Sequence, residues 1–193
     1  MRAHSLWFLA ACAIFSVLLQ GCGYHFQKTR NPLVDLGIRK IYVSVFRNQT
    51  FRPGVEHYFT NAMIREIERS RSFELVNNEA AADAVLKGQI SQTDSSINAT
   101  KNIPRITSGL DRDVDVATEY KASINCDINL VDRHGRLIFS QTMGGEKVHL
   151  GAAQTGDAGA TAPLINDSEH RMAIQFLAAQ MMASVYQRMV DTF

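Results

Sequence analysis

The stretch YKASINCDINL, residues 120–130, alternates strictly between apolar and polar side chains. Alternation over this length is typical of a β-strand with one face in a core and the other face polar. Residues 132–135 follow as a turn, in which Gly135 suits a positive φ. Residues 137–141 are predicted to return as the partner strand, so an antiparallel hairpin is expected at the centre of the fold.

Three more strands and a helix are predicted before this hairpin. The strands lie in segments rich in β-branched and aromatic side chains, at residues 39–46, 73–76 and 84–90. A helix is predicted over residues 55–70, because apolar side chains recur there at helical spacing. The polar segment 92–115 is interpreted as a long loop.

A long helix is predicted at the C-terminus. Residues 168–193 contain no Gly or Pro and carry a Met-rich apolar stripe, whereas residues 144–167 are rich in Gly, Ala and Thr and are interpreted as a mobile segment. The predicted fold class is therefore α+β, with two helices packed on one face of a mixed sheet of four to five strands. A single domain is predicted over residues 37–193.

The N-terminus has the features of a bacterial lipoprotein signal. Arg2 precedes an apolar run over residues 6–19, which is the length of a signal peptide rather than of a membrane span. Residues 19–22, LQGC, resemble a lipobox, so residues 1–21 are predicted to be removed and Cys22 to be acylated. Residues 22–36 are interpreted as the acylated N-terminus and a tether. Gly23 follows the cysteine instead of Asp, which by resemblance to other lipoproteins implies the outer membrane.

Composition and motifs argue against several functions. The net charge of +1 gives no support for nucleic-acid binding. The six histidines show no metal-ligand spacing, and neither a Gly-x-Ser-x-Gly motif nor a phosphate loop is present. Cys126, on the apolar face of its strand, is predicted to be a core residue rather than a reactive thiol. The sequence therefore predicts no enzyme, cofactor or metal site.

Two groups of basic residues are candidates for binding lipid phosphates. The predicted loop carries Lys101 and Arg105, with Arg112 further on, and the hairpin turn carries Arg133 and Arg136. The alternative for any one of them is an ordinary solvated surface residue. Four acidic residues close in sequence are expected to weaken the positive field: Asp111, Asp113, Asp115 and Asp132.

Several segments together carry a resemblance to a known family. They are CGYHF at 22–26, IYVSVFRNQTF at 41–51, PGVE at 53–56, RSFELV at 71–76 and ADAVLKG at 82–88. In this order, before a strand hairpin and a terminal helix, they resemble the lipopolysaccharide-assembly lipoprotein family LptE. The resemblance implies an outer-membrane lipoprotein, anchored on the periplasmic side, that plugs the β-barrel LptD and assists its assembly. It also implies help in delivering lipopolysaccharide to the outer leaflet.

Two other interpretations remain open from the sequence. The chain also resembles the N-terminal α/β module of TolB-like and CsgG-like secretion proteins. The resemblance lies in residues 46–48, the helix that follows them and residues 71–76. That likeness implies an envelope or secretion scaffold. A periplasmic enzyme would need polar residues that only the fold brings together.

Overall fold

The computed structural model describes residues 31–107, 110–152 and 162–191, without the side chains of residues 103–114. The predicted signal peptide and Cys22 lie outside the described residues. The helices are α1 (Pro32–Asp35), α2 (Val55–Ser70) and α3 (Ala162–Asp191), with a 3₁₀ turn at Glu79–Ala81. The strands are β1 (Lys40–Val43), β2 (Arg47–Asn48), β3 (Glu74–Leu75), β4 (Ala84–Thr107), β5 (Leu110–Asp132) and β6 (Leu137–Leu150).

The strands form one mixed sheet in the order β3-β1-β4-β5-β6, with β2 paired to β4 beside this path. β1 runs parallel to β3 and β4, whereas β4, β5 and β6 are antiparallel neighbours. Leu130 on β5 faces Phe139 on β6, so the predicted central hairpin is confirmed. The α+β fold class is also confirmed.

Both long helices pack against the same buried face of the sheet. The alternating positions of β5 from Ala122 to Leu130 are at most 1% exposed, as the period of two predicted. They share one core with Phe59 and Met63 of α2 and with the apolar stripe of α3. Cys126 belongs to this core, where burial raises the pKa of its thiol to about 12. The prediction of an unreactive core cysteine agrees with this placement.

The interpretation of residues 92–115 as a loop is wrong. β4 continues to Thr107 and β5 begins at Leu110, and the two strands pair from Ala84 opposite Asp132 to Thr107 opposite Leu110, with register shifts near Ile90 and Ala99. Within this segment, the described side chains of residues 92–102 are mostly exposed. Without a buried face the strands lack the alternation by which strands are recognised in a sequence.

The boundaries near both ends of the domain also differ from the prediction. β6 extends to Leu150 and α3 begins at Ala162, so the strand and the helix take up much of the segment 144–167. Near the N-terminus, α1 lies within the predicted tether, and its Leu33 is fully buried in the core. The folded part therefore includes residues from Asn31 onward rather than from residue 37.

Candidate functional site

Arg133 and Arg136 lie at the turn between β5 and β6, and carboxylates of the same chain bind both. The Arg133 guanidinium donates to Asp83, which also accepts the backbone N–H groups of Arg39 and Lys40 at 3.0 and 2.9 Å. These hydrogen bonds, with the charge of Arg133, lower the pKa of Asp83. The Asp83 carboxylate thereby ties the start of β1 to the turn.

Arg136 has a similar partner within its own turn. Its Nε donates to Asp132 Oδ2 at 3.1 Å, while Asp132 Oδ1 accepts the backbone N–H groups of His134 and Arg136. The backbone hydrogen bond from Arg136 is the largest cause that lowers the pKa of Asp132. Both arginines therefore already neutralise carboxylates, which makes this turn a weaker anion site than its sequence predicts.

Lys101 and Arg105 lie at the opposite end of the long hairpin. β6 pairs with β5 only as far as Glu119, opposite Leu150, so beyond that point β4 and β5 form a two-stranded ribbon. We call Thr100–Thr107 with Leu110–Ala117 the ribbon; at ~3.4 Å per residue it is about 25 Å long. The exposed Lys101 and the backbone of Arg105 belong to it.

The two predicted basic groups do not form one site. The turn with Arg133 and the end of the ribbon lie at opposite ends of β5, which has 23 residues. An extended strand of this length spans about 75 Å. One lipid headgroup therefore cannot contact both groups.

The register sorts the charged residues of the ribbon by face. Arg105 lies directly opposite Arg112, and Lys101 lies opposite Val116, so these three basic residues occupy one face. The acidic residues pair with positions on the other face; they are Asp111, Asp113 and Asp115. The expectation that these aspartates weaken the basic group stays a prediction.

A second polar site, which the sequence did not indicate, lies where α2 and α3 begin. Arg52 Nη1 and Arg171 Nη2 both donate to Asp167, at 3.1 and 2.6 Å. The hydrogen bond from Arg171 is the largest cause that lowers the pKa of the Asp167 carboxyl. Two guanidinium groups thus share one carboxylate beside a recess of about 480 Å³ that Phe51 and Tyr58 also line.

Two buried histidines lie near this site. His149 on β6 is 8% exposed and His170 on α3 is 4% exposed, with ring centroids 5.4 Å apart. Tyr120 stacks on the other side of His149 at 5.8 Å. Within the described residues, both nitrogens of His149 and Nδ1 of His170 have no hydrogen-bond partner. Burial, with the charge of Arg52, lowers the pKa of His170 to about 4.

We expect the domain to lose stability between about pH 6.5 and pH 4 because of His170. The unfolded chain binds a proton at its ordinary pKa of 6.5, while the folded chain does not do so until about pH 4. The free energy of unfolding therefore decreases as the pH is lowered through this window, by about 3 kcal/mol at most. Urea unfolding at several pH values will show this slope. Asp94 and Asp167 oppose the shift, but burial and Arg52 outweigh them.

Exposed His57 provides the control for this titration. His57→Gln should keep the slope, whereas His170→Phe should flatten it even if it changes the stability at neutral pH. An unchanged slope in His170→Phe would contradict the assignment to His170.

No group of three His, Cys, Asp or Glu side chains among the described residues is arranged to hold a metal ion. None of the helices within residues 31–107, 110–152 and 162–191 has the length and hydrophobicity to span a membrane.

Several solved lipoproteins and one oligomeric protein are similar to this chain in structure. The PelC dodecamer from Paraburkholderia phytofirmans is 12% identical, with a TM-score of 0.45, covering 79% of this chain and 86% of that chain. The rare lipoprotein B from Shewanella oneidensis is 11% identical, with a TM-score of 0.44, covering 78% and 95%. A minor lipoprotein from Acinetobacter baumannii is 11% identical, with a TM-score of 0.41, covering 80% and 92%.

The family comparison is the specific one. No curated protein matches the chain in sequence. The family model described as LptE, lipopolysaccharide-assembly, matches residues 38–189, which cover nearly all of the folded part. This match favours the resemblance to LptE over the TolB-like and CsgG-like alternative. The chain belongs to the LptE lipopolysaccharide-assembly family.

Proposed function

We propose that this protein is an outer-membrane lipoprotein that plugs an LptD-type β-barrel, assists its assembly and helps deliver lipopolysaccharide to the outer leaflet. The family match over residues 38–189 is the observation that carries this proposal. LptE is a non-catalytic lipopolysaccharide-assembly family of the bacterial envelope, so the proposed action is binding and not turnover. Acylated Cys22 would hold the domain at the periplasmic side of the membrane.

The ribbon supports a role inside a larger assembly. A two-stranded hairpin without a third strand or a helix is marginally stable in water. The ribbon extends about 25 Å beyond its last pairing with β6. A barrel wall around it would supply the missing partner surface. Its basic face, with Lys101, Arg105 and Arg112, is then the proposed contact for lipopolysaccharide phosphates.

Isolation of the chain from detergent-solubilised outer membranes tests the proposal. An affinity tag at the C-terminus leaves Cys22 unaltered, and mass spectrometry identifies the proteins retained. A stoichiometric LptD-type barrel is the expected result. A homo-oligomer or a secretion apparatus without such a barrel would instead support the scaffold alternative and overturn the proposal.

Charge reversal on the ribbon is expected to weaken lipopolysaccharide binding about tenfold. Lys101→Glu with Arg105→Glu replaces two cations by anions, and because an exposed ion pair contributes up to about 1 kcal/mol, the loss of two such pairs corresponds to about a tenfold change. Binding of purified lipopolysaccharide to the purified chain measures the effect. The matched control is Arg47→Glu with Lys87→Glu, which makes the same charge change at two exposed positions outside the ribbon.

The turn between β5 and β6 is tested in the same assay. Arg133→Glu with Arg136→Glu should have the smaller effect on binding, because Asp83 and Asp132 already pair with these arginines. Equal binding by the ribbon variant and its control would remove Lys101 and Arg105 from the proposed contact. A loss confined to the turn variant, with the fold retained, would move the contact there.

A further inference from the structure

Phe51 is the most exposed large apolar side chain in the described part of the protein. Its relative exposure is 107%, compared with 74% for Leu164 and 61% for Val45. The side chain lies in the segment between β2 and α2, which we call the Phe51 loop (Gln49–Pro53). Solvent-exposed aromatic side chains are strong candidates for residues that bind in a pocket of a partner protein.

The Phe51 loop is held by hydrogen bonds that converge on Asn48. Asn48 Oδ1 accepts the backbone N–H and the hydroxyl of Thr50, at 2.9 and 2.7 Å. Asn48 Nδ2 donates to the carbonyl oxygen of Arg52 at 2.8 Å and to Glu56 at 2.7 Å. Gln49 N–H donates to the Ile90 carbonyl oxygen, which ties the loop to β4.

This network lowers the entropy cost of binding through the loop. The backbone on both sides of Phe51 is fixed before any partner arrives, so complex formation has to order little more than the phenyl ring. The Glu56 carboxylate also accepts the backbone N–H of Gly54 at 3.1 Å. Several polar side chains therefore stabilise a loop conformation in which the ring of Phe51 is exposed to solvent.

The surroundings of Phe51 are concave and basic. One recess of about 480 Å³ lies between the Phe51 loop and α3, and a second of about 390 Å³ lies between the loop and β4. Arg52 and Arg171 share the single carboxylate of Asp167 in the first recess, which leaves one positive charge in excess. Glu56 does not line this recess, and its carboxylate accepts hydrogen bonds from Asn48 and from the backbone N–H of Gly54.

We propose that Phe51 anchors this protein in an apolar pocket of the barrel partner, with acidic side chains of the partner contacting Arg52 and Arg171. The inference rests on the proposed function for the identity of the partner. A partner surface with a pocket and adjacent carboxylates complements a single projecting ring beside a recess that holds two arginines and one aspartate. A lipid surface fits less well, because Phe51 lies between Thr50 and Arg52 and the one other apolar residue of the loop is the small ring of Pro53.

The loop and the ribbon are connected through β4. β2 pairs with β4 at Gln89 and Ile90, and β4 continues from there into the ribbon, which begins ten residues further on at Thr100. An anchor at Phe51 and the ribbon would thus contact the same barrel at two separate positions. The two contacts would act together on one partner.

Retention of the co-expressed barrel by variants of the full chain tests the anchor. Phe51→Ala should reduce the LptD-type barrel that co-purifies in detergent by about tenfold or more, as expected for a central aromatic anchor. The matched control is Leu137→Ala, an exposed apolar residue at the start of β6, at the opposite end of the hairpin. Both variants should melt at the wild-type temperature, since neither side chain belongs to the core.

The outcomes separate this inference from the function on which it rests. A wild-type chain that retains no barrel overturns the proposed function and the partner named here. Wild-type retention that Phe51→Ala leaves unchanged overturns the anchor alone. An equal loss in Leu137→Ala would likewise remove the special role of Phe51.

A single tryptophan distinguishes a lipid surface from the barrel. Trp7 is the one tryptophan of the chain, so Trp7→Phe with Phe51→Trp places the only indole in the loop. Vesicles of phosphatidylglycerol and phosphatidylethanolamine should leave its emission unshifted. A blue shift with vesicles, together with barrel retention that does not depend on Phe51, would assign the ring to the membrane and overturn the proposal.

Discussion

Gly88→Val is expected to destabilise the domain by about 3 kcal/mol, because the ring of Phe46 already occupies the space that a side chain at position 88 would need. A Cβ atom on Gly88 would lie 2.3 Å from two ring carbons of Phe46. Phe46 is 2% exposed and packs on Phe59 of α2, with ring centroids 6.3 Å apart. Its backbone N–H donates to the hydroxyl of Thr60, which holds the backbone of Phe46 in place.

Thermal and urea unfolding of the purified domain measure this effect. The matched control is Gly144→Ala on the same sheet, where the nearest atom to a new Cβ is the amide oxygen of Asn125, on an exposed face. That side chain can rotate away, so the control should change stability by well under 1 kcal/mol. A Gly88→Val variant as stable as the wild type would show that the Phe46 ring does not close over β4.

Cys22→Ala is expected to release the protein from the membrane fraction almost completely. The proposed anchor consists of acyl chains on this thiol, and each buried CH₂ contributes ~0.8 kcal/mol to membrane binding. Loss of two or more chains therefore removes the whole anchoring energy rather than a part of it. Fractionation of cells and labelling with a clickable palmitate analogue measure attachment and acylation together.

Cys12→Ala is the control for this change, because it replaces a cysteine within the predicted signal segment and leaves residues 19–22 intact. It should be processed and acylated as the wild type is. Membrane retention of Cys22→Ala with label still incorporated would refute the assignment of Cys22 as the anchor.

The parts of the fold that bury one face were predictable from the sequence. β5 and α2 place apolar side chains at the period of their element, because the core selects them at those positions. α2 was predicted at Val55–Ser70, which are its observed bounds. In these elements the apolar side chains recur at the period of the helix or strand, so the sequence indicates both which residues are buried and which element they form.

The polar part of β4 was not predictable in the same way. Residues such as Ser95 and Ser96 lie in strands whose backbone hydrogen bonds, not burial, define the structure. Pairing with β5 fixes their conformation, and the residues that provide this pairing are more than twenty positions away along the chain. Composition alone therefore indicated a loop, although β4 and β5 run through it without interruption apart from register shifts near Ile90 and Ala99.

The candidate sites were predicted in part. The basic residues were found by their charge, but which carboxylate each one meets depends on contacts between distant segments. Asp83 and Arg133 are 50 positions apart, and Arg52 and Asp167 are 115 apart. Phe51 was visible in the sequence as part of a loop, yet only the fold shows that its ring is fully exposed among the described residues.

The ribbon also limits how such a protein can change its length during evolution. Residues directly opposite share a face and successive residues alternate, so one extra residue in each strand below the ribbon would turn the basic face to the other side. Two extra residues in each strand would restore the face and move the end outward by about 7 Å. Insertions and deletions that keep the basic residues on the same face of the ribbon therefore have to add or remove two residues per strand at a time.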